Sequence, residues 1–476
     1  MLVVTSSLVY LLGLGLLAAL PLRRIGLPRN ERLNWLEGVT ARRAADLASW
    51  LLLGILCNFA LVLILRSLQL ALVVGTVLSG AGLAVAAGSW IRRKRRSRAR
   101  GSDATEEPIR RRAAAVAVLF WIAFAFSAFA LAIPILGTPI RAWDARSIWF
   151  LQAKMIYYAG VLAPEAGFAA VPFSHPEYPK LFATLAAELA HVSGYWNEYL
   201  PKGASLLLML PALLATFSFV RRPLAFAFLF AMSWLRVGST VWNGTVDGSL
   251  ALFGALGALS VSRWIAEDEP RDGVLGVLCL AICCALKNEG FVLAACLAAP
   301  LLIPWLWRRR ALRWTLGAWR SAYLAALAFA PFLVWEIQKR RWGLHADYEV
   351  SPDSLRQIAT RIVEQDGLAQ LATAFGKHGL HLAAVPFLVA LGLALATRTR
   401  IGFAAWALAG GALLYAAILA MVYLGSPFDL AWQLRTSAGR TLLAPILAVY
   451  AATFCVIAAI EESHAASRLR AIDIAN

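Results

Sequence analysis

Acidic residues are scarce in this chain, with 27 Asp and Glu against 45 Lys and Arg in 476 residues. Charged residues of both signs reach only 15%, while 60% are hydrophobic. That shortage excludes a soluble domain of this size, where about a quarter of residues are normally charged. Short segments of alternating hydrophobicity are absent too, which excludes a transmembrane β-barrel. Cysteine is sparse and unpaired in pattern. Cys57, Cys279, Cys283, Cys284, Cys296 and Cys455 all lie in apolar stretches without a CxxC spacing. They read as small buried hydrophobes and say nothing of redox compartment. No basic residue precedes the first apolar segment, Leu2 to Leu22, and Arg23-Arg24 follow it. This order argues against a cleavable signal peptide and predicts a true span with its N-terminus outside. No internal repeat or low-complexity tract is evident.

What is present is apolar sequence in runs of about 20 residues, each able to cross a hydrocarbon layer of roughly 30 Å. With a mean hydropathy of +0.68, the chain reads as an all-α polytopic membrane protein, because lipid leaves the backbone few other ways to satisfy its hydrogen bonds. The net charge of +18 does not indicate nucleic acid. The basic residues cluster in short loops between apolar runs, as in Arg92-Arg-Lys-Arg-Arg-Ser-Arg-Ala-Arg100 and Arg110-Arg-Arg112, where they set topology and face anionic headgroups.

About thirteen spans are predicted, near 2–22, 45–66, 69–91, 114–136, 199–220, 223–238, 246–264, 272–286, 290–307, 314–335, 379–397, 402–424 and 440–462. The basic segments 23–44, 92–113, 221–222, 308–313 and 398–400 then share one side, the cytoplasm. That agreement decides the reading of Leu181 to Val192, which is apolar but short and holds Glu188 and His191. Were it to cross, Arg221-Arg222 and every later basic loop would change sides. It is therefore expected to be interfacial or re-entrant, and a second such helix is expected at 354–363. The predicted organisation is a three-helix extension (1–95), a basic cytoplasmic loop (96–113), a core bundle (114–462) and a cytoplasmic tail (463–476).

Titratable and aromatic residues gather in three outer loops, 137–198, 336–378 and 425–439. In the first, Asp144 lies just past a span among Arg141, Trp143, Arg146, Trp149 and Lys154. A carboxylate there can take a proton from a hydroxyl, cations can hold a phosphate, and aromatics can stack on sugar faces. An Asp merely paired with Arg141 or Arg146 is the plainer alternative. The knot His175-Pro-Glu-Tyr-Pro-Lys180 offers Lys180 to a phosphate and Glu177 to a sugar hydroxyl or a metal, with His175 and Tyr178 as further substrate-binding candidates, or is simply a rigid loop with an incidental His. Asp247 opens a span, where a helix dipole alone would favour it. Lys287 and Glu289 interrupt two apolar runs, either as a local pair or with Lys287 facing a lipid phosphate. The second loop adds His345, Asp347 and Glu349. In the third, Arg435 and Arg440 suit phosphate binding, or snorkel to the interface.

The motifs Trp143-Asp-Ala-Arg-Ser-Ile-Trp149, His175-Pro-Glu-Tyr-Pro179, Val246-Asp-Gly-Ser-Leu250, Leu286-Lys-Asn-Glu-Gly290 and Trp432-Gln-Leu-Arg-Thr-Ser437 occur in an order that resembles GT-C glycosyltransferases of the family 39, protein-mannosyltransferase-like superfamily. The resemblance covers roughly 114–462 and implies a GT-C-like bundle with interfacial helices in its first outer loop. It implies an inverting transfer from a polyprenyl-phosphate sugar to a glycan, lipid or protein acceptor outside the cytoplasm, in a bacterial inner membrane. Asp144 takes the position of the family's catalytic acid and Asp247 that of the second loop's acid. Often the first-loop acid is one of two adjacent carboxylates. Here Ala145 follows, which weakens the case for a metal held at this point; no cofactor is certain, and a divalent metal stays open without support from the sequence. No large soluble C-terminal domain is expected, unlike in several relatives. Two rival functions are a pyrophosphate-linked glycan ligase or polymerase, and a lipid-linked sugar transporter or flippase.

Overall fold

The computed structural model describes residues 1–22, 35–99, 107–308, 318–345 and 352–475. Asp347 and Glu349 lie outside them, as do parts of the basic segments. The described residues form helices and no strand. In order these are α1 (Leu2–Ala18), α2 (Trp35–Leu65), α3 (Leu68–Ala99), α4 (Glu107–Gly137), α5 (Phe150–Ala159), α6 (Leu181–Ser193), α7 (Gly203–Phe217), α8 (Pro223–Trp242) and α9 (Asp247–Glu267). There follow α10 (Pro270–Leu286), α11 (Asn288–Arg308), α12 (Ala318–Arg341), α13 (Pro352–Glu364), α14 (Gly367–Lys377), α15 (Leu380–Ala396), α16 (Phe403–Gly425), α17 (Leu430–Thr441) and α18 (Leu443–Ala475).

A helix stands at each place where a span was expected. Among the described residues, nine are long and apolar enough to cross a membrane, or ten if the pair α14 and α15, bent by 63°, counts as one. This is a multi-pass helical membrane protein.

Small residues decide what lies at the centre. α9 reads Asp-Gly-Ser-Leu-Ala-Leu-Phe-Gly-Ala-Leu-Gly-Ala-Leu-Ser, and every side chain from Asp247 to Ser262 is buried. Such a face lets backbones approach closely where no hydrophobic effect drives helices together. A Cβ on Gly276 of α10 would sit 3.0 Å from the Gly257 carbonyl oxygen of α9. By contrast α3, α4 and α8 expose Val77, Leu119, Phe126 and Leu235, as a lipid-facing helix should.

α2 packs against α7, α10 and α12 as well as α1. Gln338 of α12 donates to the Leu63 carbonyl (2.7 Å). The α2–α3 turn is clipped to the segment that follows α5, where Leu68 N donates to Gly160 O and Leu162 N to Arg66 O, each at 2.9 Å.

Both ends of α6 return to the end of the bundle that carries Asp144. Just before it, Tyr178 bonds Glu289 (3.3 Å). After it, Ile140 N donates to Glu198 O (3.0 Å). With 13 residues the helix is about 20 Å long, short of the roughly 30 Å of a hydrocarbon layer. Leu181 through Ala190 are all buried within the protein. The helix expected at 354–363 is α13, and α14 follows it. Arg361 reaches from α13 to cap the end of α16, donating to the carbonyls of Tyr423 (2.7 Å), Leu424 (3.2 Å) and Phe428. The third loop is mostly helical, since Asp429 caps α17 by accepting from Trp432 N (2.7 Å).

Glu188 is the polar exception inside α6. Its two oxygens accept from Asn58 Nδ2 at 3.0 and 2.7 Å, and Asn58 Oδ1 accepts from Tyr10 (2.7 Å). Burial raises the Glu188 carboxyl to about 8, against the hydrogen bond from Asn58. Its folded value is thus above its unfolded one, and the associated stability is fully present at low pH and is lost as pH rises toward 8. Glu188→Gln should remove this dependence. Thermal unfolding in detergent should show wild type losing about 3–5 kcal/mol more than the variant between pH 4.5 and 8. Parallel profiles would show that Glu188 is ionised in the fold.

Candidate functional site

Four segments meet at one end of the bundle around a cavity of about 300 Å³. Asp144 stands at the entry of a π-helical turn, Ala145–Trp149, a rare local geometry that recurs at functional sites. Asp247 is the first residue of α9, at the positive end of a buried helix. Lys287 and Glu289 flank the α10–α11 turn. Lys287 adopts an extended backbone (φ −155°, ψ 150°) that ends α10. Position 290 must be glycine, because a Cβ there would lie 1.9 Å from the Cys283 carbonyl oxygen. Arg440 comes from the last turn of α17.

Their charges alternate along a chain. Arg440 Nη1 pairs with Asp144 Oδ2, and lies 3.6 Å from Asp247 Oδ2. Lys287 Nζ lies 3.2 Å from Asp247 Oδ1 and 3.2 Å from Glu289 Oε1. Tyr178 donates to Glu289. Asp247 and Lys287 are buried, whereas the Asp144 side chain keeps 24% of its surface exposed. The middle members are enclosed, and the two terminal carboxylates, Asp144 and Glu289, stay partly accessible.

An aromatic stack forms another wall. The Tyr178 ring stacks on Trp149 (centroids 5.5 Å, 14°) and on His175 (4.7 Å, 10°), with Lys287 Nζ 5.4 Å from its centre. His175 takes the left-handed backbone (φ 53°), a strain that flanking structure must hold. Its Nδ1 faces Glu177 Oε1 at 3.2 Å. Val292, Ile418, Leu419 and Val422 make an aliphatic side, on which Val422 is exposed at the flank of the bundle.

Four buried polar atoms at this cavity lack a hydrogen-bond partner: Trp149 Nε1, Glu177 Oε2, Asn288 Oδ1 and Glu289 Oε2. Each such atom costs about 1–3 kcal/mol, and together they suit a ligand rich in hydroxyls. Larger cavities, of about 390 and 640 Å³, lie elsewhere and hold no comparable cluster. Chemistry rather than size marks the site.

The expected residues divide clearly. Asp144, His175, Glu177, Tyr178, Asp247, Lys287, Glu289 and Arg440 line the cavity. Trp143, Arg146 and Arg435 do not. Trp143 is 66% exposed against Phe173, and Arg146 is exposed. Arg435 is exposed because it lies about 140° around α17 from Arg440. Lys180 is fully buried and structural. It donates to Gln152 Oε1 (3.0 Å) and Pro176 O (2.7 Å) and sits over Phe168 and Trp335. Burial holds its ammonium well below the usual lysine range, against the pull of Glu177. Neither does Asp144 pair with Arg141 or Arg146, since its partner comes from almost 300 residues downstream (|i−j| 296). Asn288, Tyr415, Tyr423, Gln433, Ser437 and Thr441 also line the cavity. The spacing of Gln433, Ser437, Arg440 and Thr441 is a polar helical stripe, and reading 425–439 as a loop hid it.

No protein-family model, curated protein or solved structure matches this chain.

The function must therefore be argued from geometry. Asp144 and Asp247 each face a cation, and among the described residues no three His, Cys, Asp or Glu side chains converge as metal ligands.

The coupling within the charge chain is measurable. Lys287→Met leaves Asp247 and Glu289 without their shared cation and should cost about 3–5 kcal/mol. Adding Asp247→Asn should restore a large part of that loss. A double-mutant cycle on thermal stability reads the interaction directly. Strictly additive effects would mean that the pair contributes nothing to the fold.

Proposed function

We propose that this protein is an inverting glycosyltransferase. It moves a sugar from a polyprenyl-phosphate donor to an acceptor hydroxyl at the outer face of a bacterial cytoplasmic membrane. The observation that carries the reading is the position of Asp144. It is a partly exposed carboxylate on a cavity that combines two cations, unsatisfied buried polar atoms and an aliphatic wall reaching the flank of the bundle. Those are the parts that a proton acceptor, a phosphate, a sugar and a prenyl chain require. The order of the five sequence motifs supports the same reading.

In this mechanism the acceptor oxygen attacks the anomeric carbon, and its proton passes to Asp144. The bond from the anomeric carbon to the phosphate oxygen breaks on the opposite face. Polyprenyl phosphate leaves with that electron pair, and its growing charge meets Arg440 and Lys287. Arg440 holds Asp144 beforehand and so sits where carboxylate and phosphate can share it. The Tyr178 stack offers a flat face to the sugar ring, and Glu177 and Glu289 offer acceptors to its hydroxyls. A pyrophosphate-linked donor would call for more cations than Arg440 and Lys287 supply. In the proposed topology thirteen helices cross, the N-terminus is outside, and the basic turns face the cytoplasm.

Asp144→Asn keeps size and removes basicity. Transfer from a polyprenyl-phosphate hexose in membranes should fall by about 100-fold or more. Arg440→Ala should lower turnover by about 2–4 kcal/mol of transition-state stabilisation, while Arg435→Ala should leave it unchanged. Wild-type turnover in a folded Asp144→Asn protein would end this assignment.

Topology is tested separately. In a background without native cysteines, Phe173→Cys and Tyr195→Cys place thiols at exposed positions on either side of α6. Both should react with an impermeant maleimide added outside intact cells. Reaction from opposite faces would mean that α6 crosses.

A further inference from the structure

A second cavity, of about 220 Å³, lies at the far end of the bundle from Asp144. Its rim carries four arginines. Arg221 and Arg222 come from the α7–α8 turn, Arg263 from α9 and Arg400 from the turn before α16. Two glutamates, Glu267 and Glu462, share the rim, and Glu462 pairs with Arg222. The neighbouring Glu461 is occupied by the start of α8, where it accepts from Leu224 N (2.9 Å) and Ala225 N (3.4 Å). Arg263 is held in place by Asp272 (2.9 Å), by the Ser218 carbonyl (3.3 Å) and by the Phe219 ring (4.9 Å). Its Nε is nevertheless buried without a hydrogen-bond partner. Arg400 is exposed and Arg221 half-buried, and no ion pair among the described residues engages either. On the rim itself four arginines face two glutamates, with Asp272 taken up by Arg263 and Glu461 by α8, and the arginines converge from two turns and the end of α9, segments distant in sequence. Beneath them the floor is apolar, formed by Phe454 and Ala458 of α18 and Ala404 of α16.

We propose that this cavity binds the phosphate of an anionic phospholipid from the adjacent leaflet. The guanidinium groups of Arg221, Arg222 and Arg400 take the phosphate oxygens, which suit planar multidentate donors. The start of the acyl chain covers the apolar floor. A small hydrophilic anion would satisfy the rim and leave that floor wet, which is why a lipid is the better fit. Basic recesses between helices at the cytoplasmic surface are suited to such headgroups. The bound lipid would tie α7–α8, α15–α16 and α18 together at this end. The inference does not depend on the enzyme reading.

The test uses the full chain, purified in a neutral detergent. Dioleoyl phosphatidylglycerol, dioleoyl phosphatidylcholine and inorganic phosphate are each titrated, with thermal unfolding and native mass spectrometry as readouts. Phosphatidylglycerol should raise the unfolding temperature and remain bound in the gas phase, and phosphatidylcholine should do neither. Arg221→Gln with Arg400→Gln should weaken phosphatidylglycerol binding at least tenfold, equivalent to about 1.4 kcal/mol. Neither side chain supports the fold, so the lipid-free unfolding temperature should be unchanged; Arg400→Gln alone provides a milder variant. Arg146→Gln with Arg435→Gln removes two exposed cations at the opposite end and should leave lipid binding intact. Equal binding of both lipids, or equal loss in the two double variants, would overturn the proposal. So would inorganic phosphate matching phosphatidylglycerol at equal concentration, which would assign the recess to a free anion.

Discussion

Asp247 between Lys287 and Arg440 is the contact on which the rest of the site depends. A lone carboxylate at the start of a buried helix could not stay ionised in an apolar bundle without cations beside it. The two that serve it come from separate places, the α10–α11 turn and the end of α17. Through them Asp247 fixes the height of both elements against α9. Lys287 then carries Glu289 and, through it, Tyr178. Arg440 carries Asp144. One buried charge therefore sets the positions of groups drawn from the segment between α4 and α6, the α10–α11 turn and the α17 helix.

This arrangement puts a rigid base under an accessible edge. α9 is buried along most of its length, and α10 and α18 pack on it. The chain of charges is accessible at both ends, at Asp144 (24% exposed) and at Glu289 (33%), and Asp144 sits on a π-helical turn rather than a regular helix. Regular winding would place the side chains after Asp144 on different azimuths and break the Trp149–Tyr178 stack. Arg361, by capping α16, fixes the roof of the same cavity from the other side.

Much of this was legible in the sequence because membrane burial makes charge expensive. Asp144, Asp247, Lys287 and Glu289 stand out as carboxylates and cations bordering apolar runs, and all four reach the cavity. What sequence could not give was azimuth and depth. Arg435 and Arg440 look alike from their flanks, and only the register of α17, set by the Asp429 cap, separates them. Lys180 looked like a phosphate ligand because it follows a polar knot. Its alkyl stem and ammonium are instead enclosed by Phe168, Trp335 and Gln152, partners remote in the chain. The partner of Asp144 was hidden for the same reason.

The order in which these contacts become possible bears on how the protein is made. Asn58 enters the membrane within α2 early in synthesis, yet its partner Glu188 lies 130 residues further on. The Leu63 carbonyl waits 275 residues for Gln338. α2 must therefore sit among lipids or insertion machinery with its polar groups provisionally satisfied until α6, α10 and α12 arrive. Assembly of the bundle is in this sense a late event, since the polar contacts of α2 close only when α6 and α12 are in place.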